Sequence, residues 1–322
     1  MGLGKKTVAL LMGGTSSERE VSLKSGKAVG AVIDLKKYKV RVYDPQKDLA
    51  KLVDEARKID VALIMLHGRG GEDGQIQGLL ELLNIPYQGS GILSSALAMD
   101  KISSKHVYQQ YLIPTPDFRV VSKKDTLGSF ETLLHDFPLP VFVKPAQGGS
   151  SVGMSVMRDL ALMEKAVFTA FKENDTVLIE TLAEGREITV PVLGNPARAL
   201  PVVEICPNDK HAFFDYEAKY THGETAEICP AELDDTLTQQ AQELAIQAHT
   251  ALGCRDYSRT DMIMQSNGAL TVLETNTLPG MTPASLLPKS AEAAGISMPQ
   301  LVDELLEMAL GRKEKKRKKL FG

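Results

Sequence analysis

The first hundred residues constrain the fold most. Short apolar runs, Thr7–Met12, Val40–Tyr43 and Val61–Leu66, alternate with segments of helical character. Those segments run from about Glu18 to Leu35, from about Asp48, and from Gln75 to Leu83. A β-α-β-α-β order of this kind predicts a parallel sheet with helices on its faces. Ligands of such sheets lie beyond the carboxyl ends of the strands. Gly13-Gly14-Thr15 and His67-Gly68 fall at two such ends.

The pattern changes at Met99-Asp100-Lys101. A helix through Tyr111 stops at Pro114 and Pro116, and short strands follow at Phe118–Val121, Val141–Val143, Met154–Met157 and Val177–Glu180. With a helix from about Leu160 to Phe171, this reads as a small α+β unit with an antiparallel sheet. Longer β-like runs then appear at Ile188–Leu193, Ala199–Ile205, Arg259–Met264 and Leu270–Glu274, interrupted by a helix from about Leu237 to Leu252. Between Cys206 and Ile228 there is little periodicity, and a loop of that length in a compact domain is usually functional.

A chain of 322 residues suits two or three domains. The division expected is 1–100, an α/β substrate-binding domain; 101–185, a central α+β subdomain with a glycine-rich flap; 186–311, a second α+β subdomain; and 312–322, a basic tail. The tail could touch an acidic surface or be a solvated, frayed end. A net charge of −4 supplies no global basic field for nucleic acid. No apolar segment reaches membrane-spanning length, and Thr7–Met12 is too short for a signal-peptide core, so the expected location is cytoplasmic. Cys206, Cys229 and Cys254 are odd in number and widely spaced, as packed thiols rather than a disulfide framework or metal site.

Four clusters carry chemistry. Val143-Lys144-Pro145-Ala146-Gln147-Gly148-Gly149-Ser150-Ser151-Val152-Gly153 can bring backbone N–H groups, a lysine and two hydroxyls onto phosphate. It lies between two strands and lacks the Walker A pattern, so it is either a flap over a nucleotide or a plain hairpin loop. Arg259-Thr260-Asp261 and Glu274-Thr275-Asn276 sit on consecutive strands. Residues two apart share a face, so two carboxylates and an amide oxygen form a hard-oxygen set suited to Mg²⁺ or Mn²⁺ with phosphate. Taken alone, they read equally as an Arg–Asp salt bridge and a turn asparagine.

Gly13-Gly14 through Ser22 feeds a helix N-terminus, where Glu18 either favours the helix dipole or holds a substrate ammonium. The dinucleotide fingerprint is incomplete there, with Asp44 the nearest candidate for its acid. His67, with Gly71-Glu72-Asp73-Gly74 after it, either orients a substrate or is structural.

In this order the clusters resemble D-alanine–D-alanine ligases of the ATP-grasp superfamily. The resemblance runs from Gly13 to about Leu287. It includes Glu18-Arg19-Glu20-Val21-Ser22, His67-Gly68, Met99-Asp100-Lys101, Lys144-Pro145, Gly149 to Gly153, Gly185-Arg186-Glu187, Glu217-Ala218-Lys219-Tyr220 and Leu278-Pro279-Gly280-Met281-Thr282. It implies an N-terminal parallel-sheet domain and two α+β subdomains sandwiching ATP. It also implies ATP and two Mg²⁺ or Mn²⁺ ions, a homodimer, and a D-alanyl phosphate intermediate.

By that resemblance Lys101 and Lys144 hold ATP phosphates beneath Ser150 and Ser151. Glu180, the backbone near Leu182 and Ala183, Glu187 and Phe213 hold adenosine. Asp261, Glu274 and Asn276 carry the metal ions. Glu18 holds the first ammonium with His67 nearby, Arg259 and the Gly280 N–H stabilise the oxyanion, and Ser285, the Leu286 N–H and Lys219 hold the second carboxylate. Tyr220, in the long loop, links to Ser150 and Glu18 and favours D-alanine over D-lactate as second substrate. The alternative is a D-alanine–D-lactate or other amino-acid ligase of the superfamily.

Overall fold

The computed structural model describes residues 4–124, 133–134, 137–148, 153–208 and 225–321. Three sheets organise the chain. The first is parallel, in the order β2-β1-β3, from β1 (Lys6–Leu11), β2 (Tyr38–Tyr43) and β3 (Val61–Ile64). Val8 to Leu11 and Val61 to Ile64 are buried throughout, as continuous apolar strands covered on both faces must be. Helices α1 (Arg19–Val32), α2 (Pro45–Asp54) and α3 (Gln75–Leu82) accompany them. In the order 2-1-3 the connections leave in opposite directions between β1 and β3, which opens a crevice at their carboxyl ends. Gly13-Gly14 and His67-Gly68 follow those two strands.

Next come α4 (Ile92–Met99) and α5 (Lys101–Gln110), where the Asp100 carboxylate caps α5 by accepting from Ser103 N at 2.8 Å. The central sheet is antiparallel in the order β4-β7-β5-β6, from β4 (Phe118–Ser122), β5 (Val141–Pro145), β6 (Ser155–Met157) and β7 (Thr176–Thr181). Helix α6 (Met163–Ala170) closes its core with Met163, Ala166, Val167 and Ala170.

The third sheet is antiparallel along β11-β10-β8-β12-β13, with β9 (Arg198–Ala199) beside β8. Its other members are β8 (Arg186–Leu193), β10 (Val203–Pro207), β11 (Thr225–Ile228), β12 (Tyr257–Met264) and β13 (Leu270–Asn276). Helix α7 (Asp235–Ala251) covers one face against Ile188, Val190, Val192 and Met262. The single run expected over Ala199–Ile205 divides between β9 and β10, with Leu200 to Val202 outside both. Ile228, expected within the long loop, ends the edge strand β11.

Two further helices, α8 (Leu286–Ala293) and α9 (Met298–Phe321), complete the chain. Leu301, Val302, Leu305, Leu306 and Ala309 of α9 enter the same core as β1 and β3. Helix α9 therefore packs with the N-terminal sheet despite its place in the sequence. Arg312, which the charge run assigned to a frayed tail, belongs to the folded body: its guanidinium pairs with fully buried Asp256 and donates to Tyr87 O. Among the described residues no helix is long and apolar enough to cross a membrane.

Candidate active site

A cleft of about 420 Å³ opens where the N-terminal crevice meets the third sheet. Its lining includes Glu18, His67, Lys101, Gly148, Arg259, Glu274, Asn276, Gly280, Ser285 and Leu286. These residues come from six separate stretches of the chain, so the fold alone assembles them.

The β12–β13 pairing sets the floor. Asp261 stands opposite Glu274 and Arg259 opposite Asn276, which puts all four on one face of the sheet. Arg259 forks Asp261, with Nε and Nη2 each donating at 2.8 Å. Thr189, fully buried on β8, donates to Asp261 Oδ1 at 2.5 Å. Beneath them Tyr108 Oη donates to Thr275 Oγ1 at 2.9 Å, and the Thr260 and Thr275 hydroxyls lie 3.0 Å apart. Such a fixed polar layer resists lateral shifts of the two strands. Asn276 Oδ1 accepts from Leu278 N at 2.8 Å.

Lys101 enters at the start of α5. Its Nζ donates to Gly148 O at 2.8 Å and lies 3.8 Å from Glu274 Oε2. It thus bridges the β13 carboxylate and the edge of the glycine-rich segment. Lys144 leaves β5 toward the same segment and pairs with Glu180. Glu180 is buried on β7 and also lies 2.8 Å from Lys105 Nζ. Burial pushes the Glu180 carboxyl up, but the two lysines outweigh it and hold the group below its ordinary value. The Leu182 N–H is taken by Pro140 O at 3.1 Å. Ala183 follows it in the connection between β7 and β8, and Glu187 pairs with Ile205 across β8 and β10.

On the N-terminal wall, buried Glu18 precedes α1 at the β1 end of the crevice. Gly68 has φ +66°, and a Cβ there would stand 2.6 Å from Glu18 Oε2, so the close approach needs glycine. His67 lines the cleft with both ring nitrogens engaged inside the protein, Nε2 with Ser25 Oγ at 3.2 Å and Nδ1 with Glu72 Oε1 at 3.3 Å. On the opposite wall, a Cβ at Gly280 would meet Ser285 Oγ at 2.8 Å. Ser285 precedes α8, and its Oγ accepts from Thr282 N at 3.1 Å. Ser150, Ser151, Phe213, Lys219 and Tyr220 lie outside the described residues.

Asp44 is not left for a ribose. Its carboxylate accepts from Gly14 N at 3.0 Å, caps α2 through Gln46 N at 3.1 Å, and is forked by Arg19, with Nη2 at 2.6 Å from Oδ2. The Arg19 guanidinium holds this carboxyl well below the usual carboxylate range. The first β-α unit therefore spends its acid on its own architecture. Sequence reasoning also missed Lys105, Thr189 and Ser25, which touch Glu180, Asp261 and His67 respectively. Only the periodicity of α5, with Lys105 one turn after Lys101, offered a signal for any of them.

The cleft lining carries Glu18, Glu20, Glu72, Glu227 and Glu274 against Lys24, Lys101 and Arg259, an excess of two carboxylates. A polyanionic guest in such a cleft would need cations to offset that excess. Hard oxygen donors at Asp261, Glu274 and Asn276 on one sheet face fit a divalent ion in that role. Among the described residues no three His, Cys, Asp or Glu side chains form a metal cluster by themselves, so this donor set depends on the amide and on phosphate oxygens.

A parallel-sheet domain joined to two antiparallel α+β units, with lysines and carboxylates converging on one cleft, defines an ATP-grasp architecture. The family models described as D-ala D-ala ligase N-terminus and C-terminus match residues 44–90 and 107–307. A D-alanine--D-alanine ligase of Syntrophobacter fumaroxidans is 52% identical over 311 residues, which cover 96% of this chain and 99% of that protein. The D-alanine--D-alanine ligase of Bacillus anthracis complexed with ATP superposes with a TM-score of 0.84 at 35% identity, covering 97% of this chain and 99% of that one. The VanG D-Ala:D-Ser ligase of Enterococcus faecalis superposes with a TM-score of 0.83 at 29% identity, covering 95% and 99%. This chain belongs to the D-alanine–D-alanine ligase family.

Proposed function

We infer that this protein ligates two molecules of D-alanine at the expense of ATP, yielding D-alanyl-D-alanine, ADP and phosphate for peptidoglycan precursor synthesis. The observation that carries the reading is the convergence of Glu18, Lys101, Arg259, Glu274, Asn276, Gly280 and Ser285 on one cleft. In this reading Glu18 holds the ammonium of the first D-alanine. The carboxylate of that substrate attacks the γ-phosphorus, and ADP departs. Lys101 and Lys144, with Ser150 and Ser151 of the flap, fix the phosphates, so that catalysis is largely positioning and charge neutralisation. A divalent ion at Asp261, Glu274 and Asn276, Mg²⁺ or Mn²⁺ and two of them when ATP is present, supplies the remaining neutralisation.

The amine of the second D-alanine then attacks the acyl carbon, and phosphate leaves. Arg259 and the Gly280 N–H stabilise the oxyanion. Ser285, the Leu286 N–H and Lys219 hold the second carboxylate. Glu180, Leu182, Ala183, Glu187 and Phe213 hold adenosine. His67 acts through Glu72, the lining carboxylate it contacts. Tyr220 closes the long loop over the site, excludes water from the acyl phosphate, and selects an amine over a hydroxyl. The dependence on ATP sets the reaction in the cytoplasm.

We also propose a homodimer formed through the N-terminal domain, supported by the exposed Leu82 (84%) and Leu93 (72%) on neighbouring helices α3 and α4. Sedimentation velocity at micromolar concentration checks this, and a monomer refutes it. For the activity, ADP release is measured with D-alanine, L-alanine, D-lactate and no addition. Stimulation by D-alanine alone is expected at neutral pH. Absence of D-alanine stimulation sinks the ligase reading, and equal use of D-lactate sinks the role given to Tyr220.

A further inference from the structure

Glu180 sits between two lysines. One carboxylate oxygen, Oε1, pairs with Lys144, and the other, Oε2, lies 2.8 Å from Lys105 Nζ. All three groups are removed from water: Lys105 is 0% exposed, Glu180 3% and Lys144 5%. The lysines differ in what else they touch. Lys105 also donates to Thr115 Oγ1 at 2.8 Å and Pro116 O at 3.2 Å, so the three hydrogens of its ammonium have three partners inside the protein. A cation–π contact is common to both lysines: Lys105 Nζ lies 5.6 Å from the centre of the Phe118 ring and Lys144 Nζ 5.6 Å from that of Phe142. Lys105 is thus held entirely by partners within the protein. Lys144 stands at the end of β5, next to the glycine-rich segment, with Glu180 as its ion-pair partner.

Charge decides what this arrangement does. One buried carboxylate with two buried ammoniums leaves a net single positive charge, which suits phosphate. With Lys144 alone, the pair would be closed and neutral. Drawing Lys144 toward a phosphate would then leave Glu180 ionised, buried and unpaired, which is strongly unfavourable.

We propose that Lys105 is a positioning residue for nucleotide binding: it is the standing counter-ion of Glu180, which frees Lys144 to engage an ATP phosphate. The proposal rests on the assignment of Glu180 and Lys144 to the nucleotide site given above.

The test uses the full chain and four proteins: wild type, K105M, E180Q and K105M/E180Q. ATP and D-alanine KM values, kcat, and direct ATP binding by calorimetry are measured for each, with thermal melts alongside. K105M is expected to raise the ATP KM and Kd at least tenfold while the D-alanine KM changes less than twofold. With Glu180 neutral, Lys105 has no carboxylate to serve. Adding K105M to E180Q is therefore expected to change the ATP Kd less than threefold. An unchanged ATP Kd in K105M overturns the proposal, as does an equal penalty in both backgrounds. If K105M alone does not fold, the comparison of E180Q with K105M/E180Q decides by the same threshold. Should the wild type bind ATP yet release no ADP with D-alanine, the ligase reading fails while the calorimetric test of Lys105 still stands.

Discussion

Asp256→Ala probes how the two walls of the cleft are held together. Asp256 is fully buried, three residues before Arg259, and its backbone is left-handed with φ 65°. Its carboxylate accepts from Gly89 N at 2.8 Å and Asn195 Nδ2 at 3.0 Å, and pairs with Arg312. One side chain therefore ties the N-terminal domain, the turn after β8 and helix α9 to the start of β12. Next to it, Arg255 Nε donates to Gly89 O at 2.7 Å, and its guanidinium lies over the Tyr87 ring. Removing the carboxylate leaves the Gly89 N–H without its acceptor and Arg312 with only Tyr87 O from this group. Losing one partner of a buried pair costs about 3–5 kcal/mol. Arg312 is partly solvated, which lowers the figure, while alanine in a left-handed conformation adds about 1 kcal/mol. A loss of about 4 kcal/mol results, and at roughly 2–4 °C per kcal/mol for a large domain the thermal midpoint falls by about 8–16 °C. Glu18 and Arg259 lie on opposite sides of this joint, so the D-alanine KM rises as well. Differential scanning fluorimetry and steady-state ADP release measure both. A midpoint within about 2 °C of wild type, with an unchanged D-alanine KM, would refute the reasoning.

Glu274→Gln removes one of two facing carboxylates and lowers kcat roughly a hundredfold or more; wild-type rates across a Mg²⁺ titration would take Glu274 out of the metal site. Burial against Ser258, with Nδ1 and Oγ 2.7 Å apart, lowers His249 to about 4 from its ordinary 6.5. The unfolded chain then binds more protons than the folded one between those values, so stability falls as pH drops from about 6.5 to about 4, by at most about 3 kcal/mol. Urea melts of wild type and His249→Gln at pH 7 and pH 5 measure this, and an equal pH slope in both would contradict it. Burial also lowers Lys105 to about 8, against the opposing pull of Glu180 and Asp117 and with the help of Lys144. Above that pH the counter-ion of Glu180 loses its charge, so the ATP KM rises between pH 7 and pH 9, whereas a flat profile would show that Lys105 does not need its proton.

Periodicity made much of this molecule legible. Short apolar runs alternating with helical segments gave the parallel sheet, because runs of four to six residues are too short for buried helices and their alternation with helices marks βαβ units. Period two gave the co-facial Arg259, Asp261, Glu274 and Asn276, since side-chain alternation is a local rule and the strands are consecutive. What stayed hidden depended on non-local partners. Helix α9 is plainly amphipathic up to Ala309, but nothing in its sequence says that it returns to β1 and β3. Asp256 reads as a polar turn residue, and only the fold brings Gly89 and Arg312 to it. Lys105 sits in the polar segment KISSKHVYQQ and reads as solvent-facing, yet it is fully buried. Asp44 misleads in the other direction: its place after β2 suggests a ribose ligand, and Arg19 takes it instead.

These hidden contacts share a logic that bears on mechanism. Asp44, Asp256 and Glu180 are each matched by a cation outside the cleft lining: Arg19, Arg312 and Lys105. Asp261 is matched differently, because its partner Arg259 itself lines the cleft. A carboxylate neutralised by a dedicated cation can be buried without disturbing the potential of the site. The cleft can then keep its own excess of two carboxylates for positively charged guests, which in the proposed reaction are substrate ammonium groups and divalent ions. An arrangement with the opposite balance would repel the substrate ammonium groups. The acids of the lining and the internal lysine–glutamate cluster are thus two halves of one solution. In the proposed reaction the phosphates meet lysines backed by a cluster with one ammonium in excess, and the ammonium groups meet the carboxylates of the lining.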